Sequence, residues 1–90
     1  MASYVSTLAS GTRTLAAATA TIVPASALSG RKLLKIFNDL DTTTYYGASG
    51  VTVSTGIPIP PGGESDWIPT DGGTYAINTA GGDIRYLEGA

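Results

Sequence analysis

The side chains that most often carry out catalysis are scarce in this sequence. The 90 residues include no histidine and no cysteine, which removes the usual general base, the thiol nucleophile and the commonest metal ligands. A glycosidase-like carboxylate pair is possible in any acidic protein, but Glu64 and Asp66 lie in a Gly/Pro-rich segment, where solvated loop charges are the favoured interpretation. No serine or threonine has an activating base at a recognisable spacing. The sequence therefore predicts a protein that is not an enzyme and that holds no cofactor.

Two other patterns are compatible with small-ligand binding. Asp39, Asp41, Asp71 and Asp83 supply the oxygen atoms that calcium prefers, but Asp-Gly and Gly-Asp steps are also ordinary turn sequences. Gly-Gly occurs three times, and in no case does the Lys-Ser/Thr of a phosphate-binding loop follow. We therefore predict neither a metal site nor a phosphate site.

The segment SGRKLLKIFND, residues 29–39, contains three of the five basic residues together with several large apolar ones. If the segment is a strand, Arg31 and Lys35 lie on one face and Lys32 on the other, so the three charges do not form one patch. The net charge is −2 and the sequence pI about 4.6, whereas nucleic-acid-binding domains typically have a pI above about 9. We expect no nucleic-acid partner.

The same segment is compatible with a helix or a strand. Its large apolar residues recur at helical spacing: Leu33, Ile36, Phe37 and Leu40. As a strand it has one face of Leu34, Ile36 and Asn38 and a second face of Leu33, Lys35 and Phe37. A helix here would lack a capping box, because Ser29 is followed three positions later by Lys32. The flanking segments are β-like, so the strand is favoured.

Short apolar and β-branched segments, separated by Gly and Pro turns, continue along most of the chain. They span residues 13–24, 31–38, 42–47, 51–55, 56–63, 66–70, 73–78 and 83–89. Six to eight such strands predict an all-β fold, either a small antiparallel β-sandwich or a partly open barrel. Pro61-Gly62 fits the two central positions of a type II turn. Residues 13–90 form the predicted domain, and the small polar residues 1–12 an extended N-terminal arm.

The size and composition of the chain suggest contact with other protein. A 90-residue chain buries only roughly 60–65% of its unfolded surface, and without cysteine it has no disulfides to compensate. Charged residues make up 13% of the chain, against about 25% in typical soluble domains. We therefore expect a homo-oligomer. We expect no membrane partner, because the apolar run LAAATATIV is far shorter than the ~20 residues of a membrane span.

A series of short motifs runs in order from about residue 20 to residue 88. The first is Arg-x-x-Leu-x-Ile-x-Asn, formed by Arg31, Leu34, Ile36 and Asn38. The later ones are Tyr45-Tyr46-Gly47, Val51-Thr52, Gly56 to Pro61-Gly62, Tyr75-Ala76-Ile77 and Ile84-Arg85-x-x-Glu88. Their order and spacing resemble small structural proteins of tailed-bacteriophage virions. The resemblance implies a β-sandwich that binds and stabilises an assembled capsid, as a cement or decoration protein of the virion, assembled in the host cytoplasm.

The partner implied by this resemblance is the major capsid protein or another virion protein. Leu34 and Ile36 would then pack in the domain core, while the opposite face of the strand would meet the partner. The predicted partner interface consists of Tyr4, Leu33, Lys35, Phe37 and Trp67. For Trp67 the favoured interpretation from composition is nevertheless the core, because the single Trp of a small sandwich usually fills it.

Two other functions remain open at this point. The same fold could act as an adaptor in a tail, neck or head fibre, and the number of copies in a particle would separate that role from a shell protein. The third interpretation is a carbohydrate-binding β-sandwich, in which Trp67 or the tyrosines would stack against sugar rings.

Overall fold

The computed structural model describes residues 7–70 and 73–90, which form seven β-strands in two antiparallel sheets. The all-β prediction is confirmed. The strands are β1 (Leu8–Leu15), β2 (Thr21–Val23), β3 (Leu33–Phe37), β4 (Thr44–Gly47), β5 (Ile57–Ile59), β6 (Thr74–Ile77) and β7 (Gly82–Gly89). The first sheet has the order β1-β7-β3, and the second has the order β2-β6-β4-β5. Over the described ranges, no helix is long and apolar enough to cross a membrane.

Residues 29–39, which were compatible with a helix or a strand, contain the strand β3. The favoured interpretation is confirmed. Leu34 and Ile36 are fully buried, whereas the alternate residues Leu33, Lys35 and Phe37 are partly exposed. This period of two arises because β3 pairs with β7 along its whole length, from Leu33 opposite Gly89 to Phe37 opposite Arg85. The helical spacing of the apolar residues is therefore incidental.

A crossover segment, residues 62–68, connects the second sheet to the first. It begins at the predicted type II turn, in which the Gly63 N–H donates to the Pro60 carbonyl (2.9 Å) and Gly62 has a φ of 75°. It then runs along the edge of β3, where Leu34 and Ile68 exchange backbone hydrogen bonds of 2.9 and 2.7 Å. Both edges of β3 are thus occupied.

Three predicted segments differ from the structure. The strand predicted at residues 66–70 is reduced to a single bridge, Ile68 opposite Leu34. Residues 13–24 do not form one strand, because a turn that includes Ala18 (φ 53°) separates the end of β1 from β2. Residues 51–55 form a turn and not a strand. There the Thr52 carbonyl accepts from the Gly56 N–H (2.9 Å) and the Thr55 hydroxyl accepts from the Thr52 N–H (3.0 Å). Such local bonds from threonine side chains compete with strand pairing.

The extended arm predicted for residues 1–12 is not shown. Residues 1–6 lie outside the described part of the chain. From Leu8 onward the predicted arm is the first half of β1, which pairs with β7 from Leu8 opposite Gly89 to Leu15 opposite Gly82.

The core lies between the two sheets and takes side chains from both. Its buried cluster comprises Leu15, Leu34, Ile36 and Ile84 from the first sheet and Val23, Ile59 and Ala76 from the second. At ~25 cal/mol per Å² of apolar surface, each fully buried Leu or Ile contributes roughly 1.5–3 kcal/mol of transfer free energy.

Two buried asparagines bond the connection between β3 and β4 to the second sheet. The Asn38 side-chain amide donates to the carbonyls of Ile59 (2.8 Å) and Thr42 (2.9 Å), while its oxygen accepts from the Thr44 hydroxyl (2.9 Å). Asn78 donates to the Thr44 hydroxyl (3.0 Å) and accepts from the Thr42 hydroxyl (2.8 Å). Among the described residues, no buried side-chain polar atom lacks a hydrogen-bond partner. The network therefore orders the core without leaving desolvated groups unpaired.

A buried ion pair joins the segment after β2 to β7. Arg31 Nη1 lies 3.2 Å from Glu88 Oε2, and the two side chains are only 2% and 3% exposed. The same Glu88 oxygen accepts the Leu28 N–H (2.9 Å). The prediction that Arg31 shares a face with Lys35 is wrong, because β3 begins at Leu33 and the preceding arginine turns to the inner side.

Breaking this ion pair is expected to destabilise the fold. Glu88→Gln removes the carboxylate of this buried ion pair and should lower the free energy of unfolding by about 3 kcal/mol or more. The double variant Arg31→Met/Glu88→Leu, which removes both charges, should recover much of that loss. Chemical denaturation monitored by circular dichroism measures each value. In the control Glu64→Gln, at an exposed ion pair, the loss should stay below about 1 kcal/mol. Equal losses for Glu88→Gln and this control would contradict the prediction.

The titration of Tyr46 gives a second test of the packing. Burial raises the pKa of Tyr46 above the usual 10.0, and the Asp66 carboxylate raises it further. As the pH rises, the unfolded chain therefore loses this proton before the folded chain does. The contribution of Tyr46 to stability is full below about pH 10 and is lost as the pH rises through its folded pKa. The difference in phenolate absorbance between the native protein and Tyr46→Phe should titrate above pH 10; a midpoint at or below 10 would contradict this.

Candidate functional site

The candidate site is the outer face of the first sheet, which points away from the core. β3 contributes Leu33, Lys35 and Phe37 to this face. On β7, Leu87 lies directly opposite Lys35, and Arg85 lies directly opposite Phe37. Because directly opposed residues share a face, these side chains form one continuous surface. We call it the outer face, and it also includes Trp67 of the crossover segment.

Lys35 holds the tryptophan in place on the outer face. Its Nζ lies 3.0 Å from Glu64 Oε1 and 5.1 Å from the centre of the Trp67 ring, over the ring face. Although it is on the surface, the Lys35 side chain is only 18% exposed. A cation over an indole face is attracted by the ring quadrupole, so the crossover segment and β3 are coupled through this contact.

The structure places Trp67 outside the core, with 43% of its surface exposed. The core interpretation is therefore wrong, and the reason is the pairing of the crossover segment with β3. Ile68 lies opposite the buried Leu34 and packs against the core, so the residue before it, Trp67, points to the other face, beside Lys35. The interface prediction placed Trp67 with Lys35, and the structure does bring these two residues together.

The outer face carries more apolar surface than was predicted from the sequence. Leu87 lies between β1 and β3, and Leu8 at the end of β1 is 62% exposed. The alternation of the last segment, with Ile84 buried, would have placed Leu87 on the outside. No local signal identified Leu8, because residues 1–12 were assigned to an arm.

An open groove crosses the outer face between β1 and β3, with a volume of about 510 Å³. It is lined by Ser10, Gly11, Thr12, Phe37, Arg85, Tyr86 and Leu87. At one end, Arg85 Nε lies 3.3 Å from Asp39 Oδ2 in an exposed ion pair. The groove thus combines aromatic, aliphatic and hydroxyl surface with charge at its rim.

The remaining predicted site residues do not assemble into a second site. Tyr4 lies outside the described residues, as does Asp71. Over residues 7–70 and 73–90, no three acidic side chains are grouped so that they could hold a metal ion. The basic residues of the 29–39 segment are dispersed, since Arg31 is buried, Lys32 is exposed and Lys35 is bound to Glu64.

No family model, curated protein or solved structure matches this chain. The residue types of the outer face can be compared with those found at protein interfaces in general. Aromatic and arginine side chains are enriched at the centres of protein interfaces, and Phe37, Trp67 and Arg85 are of these types. The surrounding lysine, glutamate and hydroxyl groups supply a polar rim.

The coupling between Lys35 and Trp67 can be measured. In a double-mutant cycle with Lys35→Met and Trp67→Leu, we expect a coupling free energy of about 0.5–1 kcal/mol, because the lysine is desolvated against the ring. Urea denaturation of the four proteins gives the value. The matched control cycle, Asp39→Asn with Arg85→Met, tests an exposed pair and should give a smaller coupling. A coupling of zero for Lys35 and Trp67 would contradict the geometry.

Proposed function

We propose that this protein is a non-enzymatic structural component of a tailed-phage virion, a β-sandwich that binds the assembled capsid and stabilises it. The observation that carries the proposal is the outer face, where Trp67 is exposed and Leu33 and Phe37 are partly exposed, on a sheet whose opposite face is buried in the core. The partner is the major capsid protein or another protein of the shell.

The motif that resembles virion proteins supports a structural role for the inner face of β3 and a binding role for its outer face. Arg31 forms the buried ion pair, Leu34 and Ile36 fill the core, and Asn38 bonds the β3–β4 connection. All four motif residues therefore serve the fold from the inner side. The outer residues of the same strand are left for contact with a partner.

A small buried apolar area per copy is sufficient for a protein that stabilises a capsid. At ~25 cal/mol per Å², a few hundred Å² of apolar surface corresponds to several kcal/mol before the cost of association is subtracted. Many copies on one shell repeat this contribution. A shell bound in this way resists thermal disruption because dissociation of its subunits must first re-expose the covered surface.

Two other functions would use the same outer face, and each predicts a different observation. An adaptor in a tail, neck or head fibre would use the outer face in a few copies per particle, so the copy number in purified virions distinguishes it. A carbohydrate-binding role is favoured by the exposed indole of Trp67. However, Lys35 already lies over one face of that ring, which leaves one face for a sugar.

The proposal is tested with shells of the phage that encodes the chain, assembled without this protein. Purified protein should co-sediment with the shells and raise their melting temperature in scanning calorimetry. Trp67→Ala and Phe37→Ser should each weaken binding by about tenfold or more, as expected for hot-spot residues. Each variant is first checked for an unchanged circular dichroism spectrum.

Ile57→Ser is the matched control, because Ile57 is 56% exposed but lies on β5 of the second sheet. It should bind shells as the native protein does. The proposal fails if the native protein neither sediments with shells nor changes their melting temperature. Glycan binding that is abolished by Trp67→Ala, without any shell binding, would instead favour the carbohydrate role.

A further inference from the structure

The outer edge of β1 has backbone groups without partners in the described structure. Thr7 and Ala90 exchange two hydrogen bonds of 2.9 Å, so they form a hydrogen-bonded pair next to the first pair of β1 and β7. Hydrogen-bonded and non-hydrogen-bonded pairs alternate from there along the two strands. In this ladder, every second residue directs its N–H and C=O to the neighbouring strand, and the others direct theirs outward. The outward residues are Leu8, Ser10, Thr12 and Thr14.

The other sheet edges in the described ranges are short or covered. The edge of β3 is covered by the crossover segment. β2 has three residues and is followed by Pro24, and the Ile22 carbonyl already accepts from Arg13 Nε (2.8 Å). β5 also has three residues, of which one is Pro58. β1, by contrast, presents eight residues without a proline or a lysine, the devices that usually block pairing with another chain.

We propose that β1 pairs antiparallel with β1 of a second copy of this chain, giving a continuous six-stranded sheet across a twofold axis. One register uses all the outward groups: Leu8 lies opposite Thr14 of the second copy, and Ser10 lies opposite Thr12 of the second copy. The four resulting residue pairs each exchange two hydrogen bonds, so the junction contains eight. The two Gly11 residues face each other at the axis.

The side chains of β1 suit a second copy of the same strand. Gly11 brings no side chain to the axis, where opposed residues of a non-hydrogen-bonded pair approach to about 4.5 Å. The space beside Gly11 is already filled within its own chain by the Tyr86 hydroxyl, which would clash with a Cβ at this position. Arg13, the one charged residue of β1, is bound to the Ile22 carbonyl and faces Ala9 of the second copy. No like charges therefore meet across the junction.

This pairing goes beyond the proposed binding to a shell. It places two outer faces side by side on one sheet, so the groove between β1 and β3 would occur twice, once on each side of the axis. A dimer presenting two equivalent faces could then bridge neighbouring partner subunits.

Removal of one outward N–H tests the pairing. The Thr12 N–H is not used in the ladder with β7, so Thr12→Pro should leave the monomer folded, as proline is tolerated at such edge positions. It should raise the dimer dissociation constant by about thirtyfold or more, because each dimer loses two hydrogen bonds and the ring obstructs the approach. Thr12→Val, which retains the N–H, is the matched control and should dimerise as the native protein does. Sedimentation equilibrium measures both, and circular dichroism checks the fold.

Cysteine cross-linking tests the register independently of proline. The chain has no cysteine of its own, and opposed residues of a hydrogen-bonded pair have Cα atoms about 5.5 Å apart, within disulfide range. A mixture of Ser10→Cys and Thr12→Cys proteins should form the mixed disulfide dimer much faster than either protein alone. A mixture of Ser10→Cys with Ser49→Cys, at an exposed turn, should not.

Several results would overturn the proposal. Native protein that remains monomeric from micromolar to millimolar concentration would do so, as would a Thr12→Pro protein that is folded and still dimerises like the native one. Equal cross-linking in the mixed and single-protein samples would refute the register. All these measurements are made without shells, so their failure is separate from a failure of shell binding.

Discussion

The rest of the structure depends on the hydrogen bonding of β3 along both of its edges. One edge pairs with β7 and the other with the crossover segment, so the backbone of this strand is fixed in rotation and register. Once it is fixed, Leu34 and Ile36 must face the core and Leu33, Lys35 and Phe37 must face outward. The crossover segment is positioned by the same bonds, and with it Trp67. The candidate interface is thus a consequence of how one strand satisfies its backbone.

Buried polar groups specify how the two sheets meet. The Arg31–Glu88 pair connects the segment before β3 to β7, and the two asparagines bond the segment after β3 to the second sheet. A small core of aliphatic side chains does not by itself select one arrangement of loops. Fully bonded polar groups do, because any alternative arrangement would leave them desolvated and unpaired. These inner contacts fix the position of both ends of β3, and with them the side from which its outer residues project.

Features of the fold that depend on nearby residues could be predicted from the sequence, and features that depend on distant residues could not. The all-β class, the alternation of β3 and the Pro61-Gly62 turn follow from local periodicity and backbone preference, and each is confirmed. The strand predicted at residues 51–55 had the right alternation. It failed because Thr52 and Thr55 bond within the turn. Leu33, Lys35 and Phe37 lie on one face of β3, as its alternation predicted, whereas Leu8 joins the same outer face only through the pairing of β1 with β7.

The sequence by itself determined which residues of β3 lie on opposite faces, because side-chain direction along a strand depends only on the period of two. Only the tertiary structure decided that Arg31 is inside and Trp67 outside, since each depends on a partner far along the chain. Arg31 pairs with Glu88, and Trp67 lies under Lys35. The same holds for β1. Residues 8–12 were predicted to be part of an arm, and pairing with β7 makes them part of a strand with one open edge. The local sequence pattern determines the direction of side chains along a strand, whereas pairing with distant segments determines which of those side chains are buried.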